Sequence, residues 1–291
     1  MRIESFRNLG IAGKLLMLFF VLFLCLIIGL VVVFFAFGSS NDIQTIKINQ
    51  LILSVFMLLL PAIICGYLWY ENPWKSYSLH KLPSSKLILL SIILILCISP
   101  FINLLGHINE QIKLPEFLAG VERRFMEMED SAKELTDQML AVNTFSGLLF
   151  NLLVIAVMPA VGEELICRGT LLNIFSEKRN KHAAIWIVAV IFSLIHFQMY
   201  GFLPRMVLGA LLGYLLVWSG SLWLPILVHF VNNATIVLAF YFGRENGVMD
   251  VMENLGKAET WGYGIASAVV SGAIIWWMVR TAANSKLETE N

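Results

Sequence analysis

The sequence predicts an all-α fold, a polytopic membrane helix bundle of about eight transmembrane helices. Apolar residues make up 58% of the 291 residues and charged residues only 14%, whereas soluble domains have about 45–50% and about 25%. The mean hydropathy is +0.79, and the apolar residues are concentrated in windows of the ~20 residues that a helix needs to cross a bilayer. This composition excludes soluble globular and disordered proteins. The 20 basic residues balance the 20 acidic ones, which argues against a nucleic-acid partner.

Eight apolar windows are the candidate spans. They cover residues 15–38, 50–70, 87–106, 145–176, 183–198, 203–219, 221–242 and 260–280. The first window is too long for the core of a signal peptide and has no small-residue cleavage site after it, so we interpret it as a retained span.

The distribution of Lys and Arg predicts the orientation, because these residues favour cytoplasmic loops. With eight spans, the basic loops and both termini fall on one side, marked by Arg2, Arg7, Lys14, Lys75, Lys81, Lys86, Lys178, Arg179, Lys181, Arg280 and Lys286. The segment 107–142, with four basic and eight acidic residues, falls on the other side. This distribution predicts a multi-pass protein with both termini cytoplasmic; as a separate expectation, the membrane is a bacterial inner membrane.

The chain divides into three predicted regions. Residues 1–142 hold the N-terminal spans and an extracytoplasmic amphipathic segment, 143–242 a core of spans that contains the ionisable residues described below, and 243–291 a loop, the last span and a cytoplasmic tail. Within 116–140, apolar residues recur at helical spacing opposite a charged face. We interpret this segment as a surface helix against the outer side of the membrane; a lid that contacts a substrate is the alternative.

Ionisable residues within the fourth window predict a functional site, because a charge at mid-bilayer costs about 2.5–3.5 kcal/mol or more. Glu164 and Arg168 are four residues apart, so they share a helix face and can form an ion pair. Glu163 has Cys167 at that spacing, so it must find a cation across the bundle or stay protonated. A structural Glu–Arg pair beside one neutral Glu is the alternative interpretation.

Two later windows add polar residues that can meet this carboxylate. His196 lies seventeen residues after Arg179 and Glu163 sixteen before it, which predicts nearly equal depth in antiparallel helices. His229 and Asn233 share a helix face, whereas Asn232 is predicted to point elsewhere. From its distance to the turn at 219–222, His229 is expected several ångström nearer the cytoplasmic face, a mismatch that tilt or a displaced turn would remove.

These groups fit hydrolysis in an intramembrane cavity. A carboxylate can take a proton from water, imidazoles can orient that water, and imidazole and amide N–H groups can donate to an oxyanion. Glu163, His196 and His229 also form the minimal ligand set of a catalytic zinc ion, so zinc is a candidate cofactor. A proton or ion path is the use of such groups in another class of protein.

Three ordered motifs carry a family resemblance: EExxxR at Glu163–Arg168, FxxxH at Phe192–His196 and HxxxN at His229–Asn233. Together, within about residues 145–242, they resemble the CAAX protease and bacteriocin-processing family, also called the Abi family, of intramembrane proteases. The resemblance implies that residues 143–242 form a catalytic core in which Glu163 activates water and His196 holds and polarises it. It also implies that His229 and Asn233 stabilise the oxyanion and that Glu164 and Arg168 shape the site as an ion pair.

The sequence thus predicts an intramembrane endopeptidase of the CAAX prenyl protease type, either metal-dependent or using water activated by Glu163 alone. The expected partners are a peptide or membrane-protein substrate, lipidated or not, and the lipid bilayer. The alternative is a non-catalytic transporter, scaffold or immunity protein that keeps a buried polar cluster. Two further features are interpreted as structural: Gly209 and Gly213 as close helix packing, and Arg205 as an anchor at the membrane interface.

Overall fold

The computed structural model describes residues 4–38, 40, 42–244 and 246–290, with side chains described from residue 6 to residue 284 within those ranges. Arg2 and the side chain of Lys286, used above to predict orientation, lie outside the described residues. Within this part of the chain the regular structure is helical, with no β-strand. The predicted all-α class is confirmed.

Ten helices form the bundle in the described part of the chain, joined by short helical turns. They are α1 (Ile11–Phe37), α2 (Ile43–Trp69), α3 (Ser85–Cys97), α4 (Ser99–Glu110), α5 (Ala119–Leu140), α6 (Phe145–Ser176), α7 (Lys181–Leu194), α8 (Phe202–Ser219), α9 (Trp223–Gly243) and α10 (Trp261–Glu290).

Six helices among the described residues are long and apolar enough to cross a membrane: α1, α2, α6, α8, α9 and α10. Helices α3 and α4 pass the same test only as a pair, which is bent by 43°. The bend coincides with Pro100, which lacks the N–H that would bond to the carbonyl of Leu96 and whose ring crowds that carbonyl. Six or seven spanning helices make this a multi-pass membrane protein.

The predicted count of eight spans is not confirmed, and the difference lies in α7. The predicted window 183–198 contains a helix that ends at Leu194 and has 14 residues. At 1.5 Å per residue this helix is about 21 Å long, short of the ~30 Å of a bilayer core. The bacterial inner membrane, the orientation of the termini and the three-region division of the chain remain predictions.

Close packing between α7 and α8 explains the two glycines of the LGALLGYLL segment. A Cβ added at Gly213 would lie 2.9 Å from Cγ2 of Ile185, and one at Gly209 would lie 3.1 Å from Cδ1 of Phe192. Both contacts are tighter than ordinary van der Waals distances, so the two backbones approach only because side chains are absent. This packing places the end of α7 beside the middle of the bundle.

The amphipathic segment forms α5, which begins after a short 3₁₀ turn at Glu116–Leu118. Its last residues, Met139 and Leu140, are buried, and the amide of Asn151 on α6 donates to the carbonyl of Met139 at 2.9 Å. Farther from this anchored end, Val121 is exposed. Helix α5 therefore lies against the bundle at its C-terminal end.

Candidate active site

Helix α6 carries both glutamates between two segments in which its turns widen to a π-helix, Leu152–Val157 and Leu165–Leu171. Pro159 lies just after the first widened segment and has no N–H to bond to the carbonyl of Ile155. This freed carbonyl accepts a hydrogen bond from Nδ2 of Asn233 on α9 at 3.3 Å. The irregular helix therefore ties α6 to α9 at the level of the glutamates.

Glu164 lies at the centre of a buried polar cluster. Its Oε1 accepts from Nη1 of Arg168 at 2.7 Å, and Nη2 of Arg168 donates to the carbonyl of Gly209 at 2.6 Å. Side-chain exposure is 0% for Glu164 and 1% for Arg168. The attraction between the two charges of such a pair is stronger inside the protein than in water, because water does not screen it. Oε2 of Glu164 is buried without a hydrogen-bond partner among the described residues.

His229 joins this cluster to the second carboxylate. Its Nδ1 is 2.9 Å from Oε1 of Glu164, and its Nε2 is 3.8 Å from Oε2 of Glu163. Because the Glu164 carboxylate accepts, Nδ1 carries the proton, and in the neutral ring Nε2 faces Glu163 as an acceptor. The mismatch in depth that the sequence predicts for His229 is therefore absent.

His196 follows the last turn of α7 and is oriented by its own backbone. Its Nδ1 is 2.6 Å from the carbonyl oxygen of Phe192. A carbonyl only accepts, so Nδ1 is the protonated nitrogen and Nε2 keeps a lone pair for another partner. The ring of Phe192 meets the His196 ring edge-on with centroids 5.0 Å apart, and the His229 ring at 6.3 Å.

Phe192 also packs against the ion pair, because the Arg168 guanidinium lies 5.1 Å from the centroid of its ring. One aromatic side chain therefore contacts the cation of the pair and both imidazoles. The phenylalanine of the FxxxH motif thus has a physical role in the site. This role could not be predicted from the sequence beyond the spacing of the motif.

Asn233 and its neighbour Asn232 complete the polar wall on α9. Nδ2 of Asn232 donates to Oδ1 of Asn233 at 3.2 Å, and both side chains line the same cavity. This bond, with the one to Ile155, fixes the orientation of the Asn233 amide and leaves its second N–H free to face a ligand. The prediction that Asn232 points elsewhere is wrong, because the cavity wall includes residues from more than one face of α9.

A cavity of about 450 Å³ brings the four candidate catalytic residues together. Its volume lies within the range of ligand pockets, and its walls come from α3, α5, α6, α7, α8, α9 and the turn before α8. The residues that line it include Glu163, His196, His229 and Asn233, the apolar Ile95, Ile155, Leu208, Leu211, Leu212 and Ile236, and Thr136 and Leu140 of α5. The amphipathic helix thus contributes to the cavity wall, and its role as a lid that contacts a substrate stays a prediction.

Arg205 also lines this cavity, whereas the sequence suggested an anchor at the membrane interface. The side chain turns inward and hydrogen-bonds to Gln198. Sequence spacing could not place it, because residues 195–201 form an irregular turn between α7 and α8.

The proposed zinc ligands do not form a ready metal site. Among the described residues, no three His, Cys, Asp or Glu side chains are grouped so that they could hold a metal ion. Glu163 and His229 approach each other at 3.8 Å, but His196 does not join them as a third ligand. The residues as placed do not fit a zinc ion, so the chemistry below is derived without one.

Comparison with known proteins gives a family match for one segment of the chain. Residues 145–235, about a third of the chain, match the family of type II CAAX prenyl endopeptidases described as Rce1-like. No curated protein and no solved structure matches the chain. The matched segment contains all three motifs and therefore all four candidate catalytic residues, Glu163, His196, His229 and Asn233. Residues 145–235 thus carry the signature of the Rce1-like type II CAAX prenyl endopeptidases, which confirms the resemblance inferred from the motifs.

Proposed function

We propose that this protein is an intramembrane endopeptidase in which Glu163 activates water for attack on a peptide bond. One observation carries the proposal: Glu163, His196, His229 and Asn233, from three parts of the chain, line one cavity within an apolar bundle. The match of residues 145–235 to a family of endopeptidases supports the same reaction class.

The first step is the attack of water. The Glu163 carboxylate takes a proton from the water, and Nε2 of His196 accepts a hydrogen bond from the second O–H and so orients it. The water oxygen forms a bond to the carbonyl carbon, and the carbonyl electrons move to its oxygen. A positioned base of this kind contributes about 10²–10⁴-fold to the rate.

The second step is the collapse of the tetrahedral intermediate. The second N–H of Asn233 donates to the oxyanion, and the imidazolium form of His229 donates from Nε2 while its Nδ1 donates to the Glu164 carboxylate. The C–N bond then breaks, and the proton held by Glu163 passes to the leaving nitrogen. Each fixed oxyanion donor contributes roughly 3–4 kcal/mol in other hydrolases.

The substrate that suits this cavity is an apolar peptide or a membrane-protein segment, with or without a lipid chain. Apolar side chains such as Leu208, Leu212 and Ile236 make up much of the wall, and the cavity lies in a bundle whose outer face is apolar. A substrate would therefore enter without burying many polar groups against apolar walls.

The test uses the purified full chain in proteoliposomes with a pool of apolar peptides, prenylated and unprenylated, and mass spectrometry of the products. We expect cleavage by the native protein and a loss of about 10²-fold or more in Glu163→Gln. Glu127→Gln is the matched control, because its carboxylate is exposed on α5. Full cleavage by a folded Glu163→Gln variant would refute the proposal, and no cleavage by any form would favour a transporter, scaffold or immunity protein.

A further inference from the structure

Arg205 is a cation in the cavity wall that the proposed mechanism does not use. It lies in the first turn of α8 and is half-buried. Its Nη1 donates to the backbone carbonyl of Gln198 at 3.2 Å, and its Nη2 donates to Oε1 of Gln198 at 2.6 Å. Both acceptors are neutral, so these two hydrogen bonds hold the guanidinium in place and do not themselves neutralise its charge.

No carboxylate forms an ion pair with Arg205 among the residues that the structure describes, where such pairs are counted to 4.0 Å. Glu129 and Glu163 are close enough to interact with it electrostatically, but neither contacts it. A cation inside a membrane bundle is costly unless it is paired. An anion that entered the cavity would therefore gain by meeting Arg205.

The geometry around the guanidinium is suited to such an anion. A guanidinium has five N–H donors in a planar fork that matches the two oxygens of a carboxylate, and two of its nitrogens are occupied by Gln198. Gly201 makes the space for it, since a Cβ at that position would lie 2.8 Å from Nη2. The side chain is thus seated against the turn, beside the same cavity as Glu163.

We propose that Arg205 binds a carboxylate of the substrate peptide and thereby selects which peptides are cleaved. This inference rests on the proposed function, since the carboxylate belongs to the peptide that Glu163 would cleave. The carboxylate has two sources with the same chemistry, the C-terminus of the peptide or an Asp side chain within it. Arg205 would then be a substrate-binding residue, and Gln198 and Gly201 would position it.

The experiment uses one pool of apolar peptides in three forms: a free C-terminal carboxylate, a C-terminal amide, and a C-terminal amide with one internal Asp. Binding is measured in the His196→Ala background, which keeps the charges of Glu163 and Arg205 but should not cleave. Cleavage of the same peptide forms is measured with protein that keeps His196. Arg205→Gln removes the charge, Arg205→Lys keeps it, and Arg124→Gln removes an exposed cation of α5 as the matched control.

With Arg205 present, we expect one of the two carboxylate forms to bind and be cleaved at least about tenfold better than the plain amide, a ratio worth about 1.4 kcal/mol. Which form is preferred identifies the source of the carboxylate. Arg205→Gln should bring the ratio close to one, Arg205→Lys should keep part of it because the charge remains, and Arg124→Gln should leave it unchanged.

Equal binding of the three peptide forms by protein with Arg205 intact would overturn the proposal. This measurement does not depend on whether a variant at Arg205 folds. A ratio that survives Arg205→Gln would overturn it as well. Failure of the proposed function has a different signature: no form is cleaved by native protein. If the binding preference persists in that case, the carboxylate site at Arg205 stands without the peptidase reaction.

Discussion

Replacing Arg168 with methionine should destabilise the fold more than replacing any exposed charge. Methionine keeps an unbranched apolar chain but removes the donors to Oε1 of Glu164 and to the carbonyl of Gly209, which lie 2.7 and 2.6 Å away. Among the described residues, the Glu164 side chain, with 0% exposure, would then keep one hydrogen bond, the one with Nδ1 of His229. A buried carboxylate would lose its cation.

The magnitude follows from this burial. Removing one partner of a buried ion pair costs about 3–5 kcal/mol, because the remaining charge is left desolvated. In domains of about 150–250 residues, each kcal/mol corresponds to about 2–4 °C of melting temperature; on this scale we expect a fall of up to roughly 20 °C. The double variant Glu164→Gln with Arg168→Met should recover part of this loss, since its glutamine is neutral and still accepts from His229.

The assay is thermal unfolding of the purified protein in detergent, followed by a double-mutant cycle. The matched control is Arg124→Met, whose guanidinium is 82% exposed and lies 3.8 Å from the carboxylate of Glu127; it should change stability by no more than about 0.5 kcal/mol. If Arg168→Met were as mild as this control, or if the two substitutions at Glu164 and Arg168 were simply additive, the buried pair would not have the role assigned to it.

Three further predictions concern metal content, packing and pH. The three proposed zinc ligands are not grouped in the structure, so cleavage should survive treatment with a chelator. Near-stoichiometric zinc in the purified protein that is lost when His196 and His229 are replaced by alanine would contradict this prediction. Gly162→Ala should cost about 1–3 kcal/mol in unfolding assays, because its Cβ would lie 2.6 Å from Cβ of Leu58, whereas Gly120→Ala has open space and should not destabilise the protein. Burial raises the pKa of the Glu129 carboxyl, so its contribution to stability is complete below its ordinary pKa and is lost as the pH rises through the raised pKa. The midpoints of thermal unfolding, measured from about pH 4 to about pH 8, should therefore vary less in Glu129→Gln than in the native protein. An equal variation in both proteins would refute the raised pKa of Glu129.

Most of the bundle could be predicted from composition, because an apolar window of sufficient length has few alternatives to a membrane-spanning helix. The apolar windows predicted the wrong helix end where the apolar sequence continues past the end of a helix. In 183–198 the apolar residues Ile195 and Phe197 extend the window, but α7 ends at Leu194, and Phe197 adopts a positive φ of 55°. Hydropathy does not detect such a change in backbone direction.

The depth of His229 shows a second limit. The sequence placed the turn before α9 at the membrane surface, but Ser221 and Leu222 in that turn have 0% exposure. The loop before α3 covers them: the backbone N–H of Leu222 donates to the carbonyl of Ser78, and Oγ of Ser221 donates to the carbonyl of Lys81. The turn therefore lies inside the protein, and His229 reaches the level of the glutamates.

The candidate site itself was predictable to the extent that its residues are helical and ionisable. Glu163, Glu164 and Arg168 stand out in an apolar window because a charge there is costly. The roles of Asn232 and Arg205 depend on how the cavity curves and on the turn before α8, and neither follows from residue spacing. These two roles depend on contacts between residues that are far apart in the sequence.

The most direct test of the central claim is the origin of the new carboxylate in the cleaved peptide. Peptide products formed in ¹⁸O-labelled water should carry one ¹⁸O atom at the new C-terminus, and their formation should be lost in Glu163→Gln but kept in Glu127→Gln. This result would show that water attacks the peptide bond and that the cavity carboxylate activates it. Products without ¹⁸O, or labelled products formed at the native rate by Glu163→Gln, would contradict the account.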